Sequence, residues 1–224
     1  MSDPGESAKA LERLDEITRR LRVECPWDRE QDERTIVPHT VEEAYELADA
    51  ANRGDDRKLL DELGDVLFQV VFLSLLLEER GKGNFREVAE HCRQKLIRRH
   101  PHVFGEVEAE TAADVLRNWD EIKRGEEGRE PGVFGDVPEN LPAPLYARKV
   151  LRRASSAGHG RDGDPRATLR ESVDSADDFE SIGDLLFAAV ALARERGIDP
   201  ELALRSAADR FRTEIEEEAE SASE

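Results

Sequence analysis

Hydrophobic residues recur at helical spacing along most of the chain. Leucine and isoleucine at positions 11, 14, 17 and 21 follow one another at three or four residues, which predicts an amphipathic helix. No segment alternates convincingly between apolar and polar residues at a period of two. The pattern therefore predicts an all-α fold, a bundle of helices. The predicted helices span 8–23, 40–52, 55–80, 84–99, 111–123, 145–155, 166–196 and 200–218.

Local signals suggest where some of these helices begin and end. Thr40 is expected to cap the second helix, because Glu43 follows three residues later as in a capping box, and Gly54 is expected to end it. Residues 126–144 are polar and rich in glycine and proline, which is typical of a linker. The predicted organisation is a first domain at 8–125, a linker at 126–144 and a second domain at 145–219.

The chain contains an internal repeat. The segment from Gly64 to Val71 recurs as Gly183 to Val190, with five identities in eight positions. Self-similarity over a fixed offset indicates two structurally related halves.

Composition narrows the function classes. The 224 residues carry a net charge of −19, which disfavours a nucleic-acid-binding surface. Cys25 and Cys92 do not form a disulfide framework, and the N-terminus shows no signal region. The longest apolar stretch, 66–77, is too short to span a membrane. The expected location is the reducing cytoplasm, with neither membrane nor nucleic acid as a partner.

Two acidic pairs are the main candidates for chemistry. Glu43 and Glu46 are three residues apart, as are Glu62 and Asp65, so each pair lies on one face of a helix. Carboxylates gathered in an apolar bundle repel one another and lose hydration, so they need a cation. Ligation by carboxylates alone favours Mg²⁺ or Mn²⁺. The alternative is a solvated helix face, which the surrounding leucines and valines disfavour.

A local basic cluster is expected to meet phosphate. Lys95, Arg98, Arg99 and His102 lie within a few residues of one another in an otherwise acidic chain, and positive charge near a divalent cation suits a polyphosphate. The alternative is a favourable interaction with the end of the helix. Trp119 and Lys123, one turn apart, either line a nucleotide pocket or simply pack together.

Several other sites are disfavoured. No Glu-x-x-His pair is present, which argues against a di-iron bundle, and there is neither a Walker A loop nor a nucleophile elbow. Trp27 could stack on a nucleobase, although a place in the core is the favoured interpretation.

Five segments together resemble the MazG family of nucleoside triphosphate pyrophosphohydrolases. The resemblance covers about residues 8–125 and is specific in combination, whereas the remainder resembles a second MazG copy more loosely. The matching segments are 25–31, 42–46, 62–65, 98–104 and 118–123.

The resemblance implies an all-α, usually dimeric enzyme that hydrolyses nucleoside triphosphates to monophosphate and pyrophosphate. The reaction implied is metal-assisted attack of water on phosphorus. It implies Mg²⁺ ligands, a further acid at Glu42 that binds a second metal or orients water, and residues that meet the substrate. The implied ligands are Glu43, Glu46, Glu62 and Asp65, and the implied substrate contacts are Lys95, Arg98, Arg99, Trp119 and Lys123.

The second half departs from this pattern. Ser172, Ser175 and Ser181 stand where the first half has Glu43, Glu46 and Glu62. The five residues between Ser175 and Ser181 are expected to be too few for the end of one helix, a turn and the start of the next. The second half is therefore predicted to be a degenerate copy that serves packing or dimerisation.

Two competing functions stay open at this stage. One is a pyrophosphohydrolase of the same fold with a narrower substrate, of dCTP/dUTP or phosphoribosyl-ATP type. The other is a helical interaction protein without activity. The sequence contains no motif that decides base preference, sugar preference or the number of metals.

Overall fold

The computed structural model describes residues 3–126, 132–135, 137–160 and 163–222, and over these residues the chain forms α-helices and no strand. The fold is all-α, as predicted. The helices are α1 Pro4–Glu24, α2 Pro26–Glu30, α3 Glu33–Arg53, α4 Asp56–Glu79, α5 Phe85–Arg99, α6 Pro101–Phe104, α7 Ala112–Arg124, α8 Ala143–Ser156, α9 Pro165–Asp174, α10 Phe179–Glu195 and α11 Pro200–Ser221.

A hairpin of α3 and α4 forms the centre of the first compact unit, Met1–Phe104. Ile36 of α3 packs with Phe72 and Leu76 of α4 in a buried cluster. Further along, the Thr40 hydroxyl donates to the Gln69 side-chain oxygen over 3.4 Å. The contact made by the later residue of α3, Thr40, is with an earlier residue of α4, Gln69. The two helices are therefore antiparallel.

Arginines on α1 tie this helix to the end of α4. Arg19 reaches Glu78, and Arg22 forms a two-pronged ion pair with Glu79 at 2.8 Å for both N–H···O contacts. Arg22 Nη1 also donates to the backbone carbonyls of Asp28 and Gln31, which flank the end of α2. The Arg22 guanidinium thus connects α1, α2 and α4.

The second compact unit, Gly105–Glu224, contains α7 to α11. In this unit α9 and α8 both pack on α10, whose Ala188 and Val190 are buried. An ion pair of 2.6 Å joins Arg148 of α8 to Asp199, the N-cap of α11.

The second predicted helix begins earlier than expected. Asp32, rather than Thr40, is the N-cap: its side chain accepts from the backbone N–H of Arg34 and Thr35, and Thr35 completes the capping box. Thr40 lies in the helix interior, where its hydroxyl bonds to the Ile36 carbonyl. The predicted cap at Thr40 is therefore wrong. Gly54 ends the helix as predicted, in the left-handed conformation at φ 68° that glycine adopts without strain.

The predicted helix at 166–196 is two helices. The first ends at Asp174 and the second begins after Asp178, whose carboxylate caps the N–H of Ser181 in a reciprocal capping box. The interval between Ser175 and Ser181 contains a turn and the first two residues of α10, and no part of α9, which has already ended at Asp174.

The division into units falls after Phe104, so α7 belongs to the second unit, although the sequence placed it in a first domain ending at 125. Much of the predicted linker lies outside the described residues. Over the described part of the chain, no helix is both long and apolar enough to cross a membrane. The cytoplasmic location and the absence of a nucleic-acid partner stay predictions.

Candidate metal centre

Three carboxylates converge on the seam between α3 and α4. Glu43 comes from α3, and Glu62 and Asp65 come from α4; one oxygen of each lies within 4.8 Å of the others. Glu43 is seven residues from both Ile36 and Ala50, which are buried, so it shares their stripe of the helix. The sequence thus places acids at positions of the seam that otherwise hold core residues.

Glu62 is the most enclosed member of the cluster. It is 5% exposed, at a position seven residues before the buried Gln69. Its Oε2 is buried and receives no hydrogen bond, while Lys58 Nζ lies 3.7 Å from Oε1. Among the described residues, the positive charge beside this carboxylate is that of Lys58, one helical turn away. The lysine contacts Oε1, and Oε2 has no hydrogen-bond partner.

The electrostatics of the cluster disfavour its own negative charge. Burial, followed by repulsion from Glu46, raises the pKa of Glu62 above its usual range. Burial, followed by repulsion from Asp65, raises the pKa of Glu43 in the same way. Both shifts have the sign expected when carboxylates are brought together and withdrawn from water.

These residues fit a hard divalent cation. Three carboxylate oxygens at such close range are the donors that Mg²⁺ or Mn²⁺ prefers, and a cation there would supply the partner that Glu62 Oε2 lacks. Asp65 and Glu43 are accessible enough for water or phosphate oxygens to complete the coordination.

The other two predicted acids lie beside the cluster rather than in it. Glu46 is exposed and outside the three-residue group, but its charge and a side-chain hydrogen bond with Glu62 both raise the pKa of Glu62, so its carboxyl group adjoins that of Glu62. Glu42 turns towards His39, whose Nδ1 lies 3.1 Å from its Oε2.

The predicted basic cluster occupies the end of α5 and the start of α6. Lys95 and Arg99 are half-buried, Arg98 is exposed, and the His102 ring lies 5.6 Å from that of His100. Since α5 packs on α4, these cations and the carboxylates lie on neighbouring helices of one unit.

Trp119 and Lys123 belong to the second unit. Lys123 Nζ lies 4.8 Å from the centre of the Trp119 ring, and the Arg152 guanidinium of α8 lies 5.6 Å from it. The one-turn spacing thus produces a cation–aromatic contact. A cavity of about 1190 Å³ in this unit is lined by parts of α8, α9 and α10 and by none of the predicted site residues.

For two residues the structure gives a result that the sequence analysis did not predict. Trp27 is 50% exposed, so the favoured interpretation of a core tryptophan is wrong; its position on the short, exposed α2 is the reason. Lys58 was missed. Its place four residues before Glu62, where a helix brings opposite charges together, was the signal available.

In the second unit, the serines at the positions of the predicted metal ligands form hydrogen bonds with backbone groups of their own segments. Ser172 donates to the Thr168 carbonyl over 2.9 Å, and Ser175 donates to the Glu171 carbonyl over 3.2 Å. Ser181 is engaged in the cap of α10. Among the residues described, this unit contributes no group of three acidic or metal-ligating side chains.

Comparison with known families and proteins shows a match over the same region. Residues 31–104 match the MazG nucleotide pyrophosphohydrolase domain. This range includes the three clustered carboxylates and the basic residues of α5.

Several relatives extend the similarity over most of the chain. A nucleoside triphosphate pyrophosphohydrolase of Escherichia coli K12 is 38% identical over 92% of this chain and 86% of its own length. A nucleoside triphosphate pyrophosphohydrolase/pyrophosphatase MazG of Thermotoga maritima is 36% identical over 92% and 84%. The crystal structure of a mazG-related protein from Thermotoga maritima aligns with a TM-score of 0.44 and 25% identity, covering 50% of this chain and 97% of that one.

Proposed function

Because the chain belongs to the MazG family of nucleoside triphosphate pyrophosphohydrolases, we propose that it hydrolyses nucleoside triphosphates to nucleoside monophosphate and pyrophosphate with Mg²⁺ held in its N-terminal unit. Mn²⁺ is a possible substitute, since it prefers the same ligands.

The carboxylate cluster is the observation that carries this proposal. Glu43, Glu62 and Asp65 come from two helices and repel one another, and the single lysine beside Glu62, Lys58 at 3.7 Å, offsets only part of this negative charge. A structural role would be served better by apolar residues, since an unpaired buried charge destabilises a fold. The arrangement is that of residues kept for binding.

Each predicted residue has a role that fits its position. Glu43, Glu62 and Asp65 hold the cation, and Glu46, just outside them, completes or orients its ligands. Glu42, which is exposed and contacts His39, is assigned to a second metal or to orienting the attacking water. When bound, the cation neutralises phosphate charge and makes water a better nucleophile.

Positive side chains bind the remaining phosphate charge in this proposal. Lys95, Arg98 and Arg99 of α5 are assigned to the phosphates, as is Lys58, which exchanges its contact with Glu62 for one with substrate. Trp119 and Lys123 lie in the second unit, and a nucleoside contact by them stays a prediction of the family resemblance.

The test is product analysis with a panel of NTPs and dNTPs, with Mg²⁺ or EDTA, on the wild type and two neighbouring variants. Glu62→Gln removes a ligand charge without changing side-chain volume. Asp61→Asn is the matched control, because Asp61 is exposed, adjacent in sequence and outside the cluster. Monophosphate and pyrophosphate should appear with Mg²⁺ only, fall at least about 100-fold in Glu62→Gln, and stay within about twofold in Asp61→Asn.

Three outcomes separate the competing functions. Turnover of the whole panel supports the broad activity, and turnover of dCTP and dUTP alone supports the narrower enzyme. Release of phosphate without pyrophosphate, or full activity in Glu62→Gln, contradicts the proposed site. A Mg²⁺-induced rise in melting temperature that Glu62→Gln abolishes reports on binding independently of turnover.

We further propose a homodimer that uses the outer face of α4. Leu60 (74% exposed) and Leu63 lie on this face at a helical spacing, and the repeat-related Phe179 and Ile182 of α10 are exposed in the same way. Leu60→Glu should yield monomers in sedimentation, whereas Val23→Glu, at an exposed valine of α1, should leave the dimer intact. Dimers in both variants would contradict this interface.

A further inference from the structure

Trp27 presents a large aromatic surface to solvent. The side chain is half exposed, although a tryptophan gains more from burial than any other residue. Its ring meets that of His39 edge-on, with centroids 5.8 Å apart and planes at 65°. Half of the side-chain surface thus stays accessible to a flat ring in solution.

The backbone that carries Trp27 is held firmly. The Trp27 carbonyl accepts from Gln31 Nε2 over 2.9 Å, and the carbonyls of Asp28 and Gln31 both accept from Arg22 Nη1. Arg22 is itself fixed by its ion pair with Glu79. The exposed ring is therefore carried by a short helix whose backbone is held by side-chain hydrogen bonds.

His39 links this ring to the acidic cluster. It lies four residues before Glu43 on α3, one helical turn or about 6 Å along the axis. Its Nδ1 contacts Glu42, the residue next to Glu43. The Trp27 ring thus contacts a side chain of α3 that begins one helical turn before a residue assigned to the cation.

A nucleoside triphosphate has the same two parts, a charged polyphosphate and a flat base. We propose that Trp27, positioned by His39, is the stacking surface for the nucleobase of the substrate. The inference rests on the proposed function, and it adds a contact for the base that comes from the first unit itself.

Stacking of this kind accepts every base, because each has a π-face, and it favours purines, which offer more area. The substrates should therefore be broad, with ATP and GTP bound more tightly than CTP and UTP. Trp27 should act on binding and hardly on the chemical step, since it contacts the base and not the reacting phosphate.

The experiment compares Trp27→Ala, Trp27→Phe and the control Val23→Ala, an exposed apolar residue of α1. KM and kcat are measured for all four ribonucleotides with Mg²⁺, and equilibrium binding is measured with a non-hydrolysable α,β-methylene analogue of ATP. Trp27→Ala should raise KM and the analogue Kd about tenfold or more with kcat within about twofold. Trp27→Phe should retain most of the affinity, and Val23→Ala all of it.

Failure of the inference and failure of the proposed function differ in this experiment. Turnover with a KM that Trp27→Ala leaves unchanged overturns the inference alone. Analogue binding that Trp27→Ala weakens, without any turnover by the wild type, overturns the proposed function alone. If Trp27→Ala does not fold by circular dichroism, Trp27→Leu, which keeps apolar bulk and removes the π-face, replaces it with the same expected loss.

His39 is tested as a positioning residue. His39→Ala should raise KM less than Trp27→Ala does, and the double variant should be no worse than Trp27→Ala, because the histidine acts through the ring. Additive losses in the double variant would show that His39 binds the nucleotide independently.

Discussion

Arg22 offers a sharp test of what holds the first unit together. Its guanidinium makes two N–H···O contacts of 2.8 Å with the Glu79 carboxylate and donates to two backbone carbonyls, and it lies 5.8 Å from the centre of the Phe72 ring. Replacing Arg22 with alanine removes all of these contacts. The two carbonyls, those of Asp28 and Gln31, lose their donor.

The loss in the free energy of unfolding follows from how exposed each contact of Arg22 is. Glu79 is 40% exposed, so solvent screening limits the ion pair to about 1 kcal/mol. Two hydrogen bonds from a charged donor to half-buried carbonyls contribute about 1 kcal/mol each, and the ring contact, near the outer limit of the range for a cation–aromatic interaction, adds little. We expect Arg22→Ala to lower the free energy of unfolding of this unit by about 3 kcal/mol.

Urea denaturation followed by tryptophan fluorescence measures this loss. The chain has two tryptophans, so a Trp119→Phe background restricts the signal to Trp27, in the first unit. With an m value of about 2 kcal/mol/M, the midpoint should fall by about 1.5 M. Arg20→Ala is the control, because Arg20, two residues away on α1, is 72% exposed and pairs only with Glu24 within its own helix. It should cost about 0.5 kcal/mol or less.

A loss in Arg22→Ala no larger than in Arg20→Ala would refute this reasoning. It would mean that the contacts of Arg22 contribute little to holding α1 and α2 against α4. It would also remove the evidence that Arg22 holds the backbone of α2, which carries Trp27.

Three further predictions follow from the described contacts. Glu79→Gln should lower the free energy of unfolding by about 1 kcal/mol or less at pH 7. The Arg22 hydrogen bonds lower the folded-state pKa of Glu79 below its ordinary value of 4.5. Urea titrations at several pH values should therefore show a difference from wild type that is constant above pH 4.5 and vanishes as the pH falls through the folded-state pKa. Phe72→Ala empties the centre of the α3–α4 core and should cost about 3–5 kcal/mol in the same assay, so a loss below about 1 kcal/mol would contradict the buried position. Ser172→Ala should leave pyrophosphate release within about twofold of wild type, because the hydroxyl bonds only to its own helix; a large loss would assign catalysis to the second unit.

The helical class, the ends of several helices and the candidate acids could all be predicted from the sequence. Helices follow from local spacing of apolar residues, and caps such as Asn84 and Thr111 act within one turn, so neither needs knowledge of distant residues. The long α4 begins after Asp55 as the pattern predicted. Local signals failed where two caps competed, as at Asp32 and Thr40.

Only the tertiary structure decided which acids meet. Spacing fixes the angle between two side chains on one helix, but the register between helices decides which of them enters the seam. In this register Glu43 faces Glu62 and Asp65, whereas Glu42 and Glu46 lie beside them. The exposure of Trp27 likewise depends on how the Arg22 ion pair holds α2, a contact that joins residues far apart in the sequence.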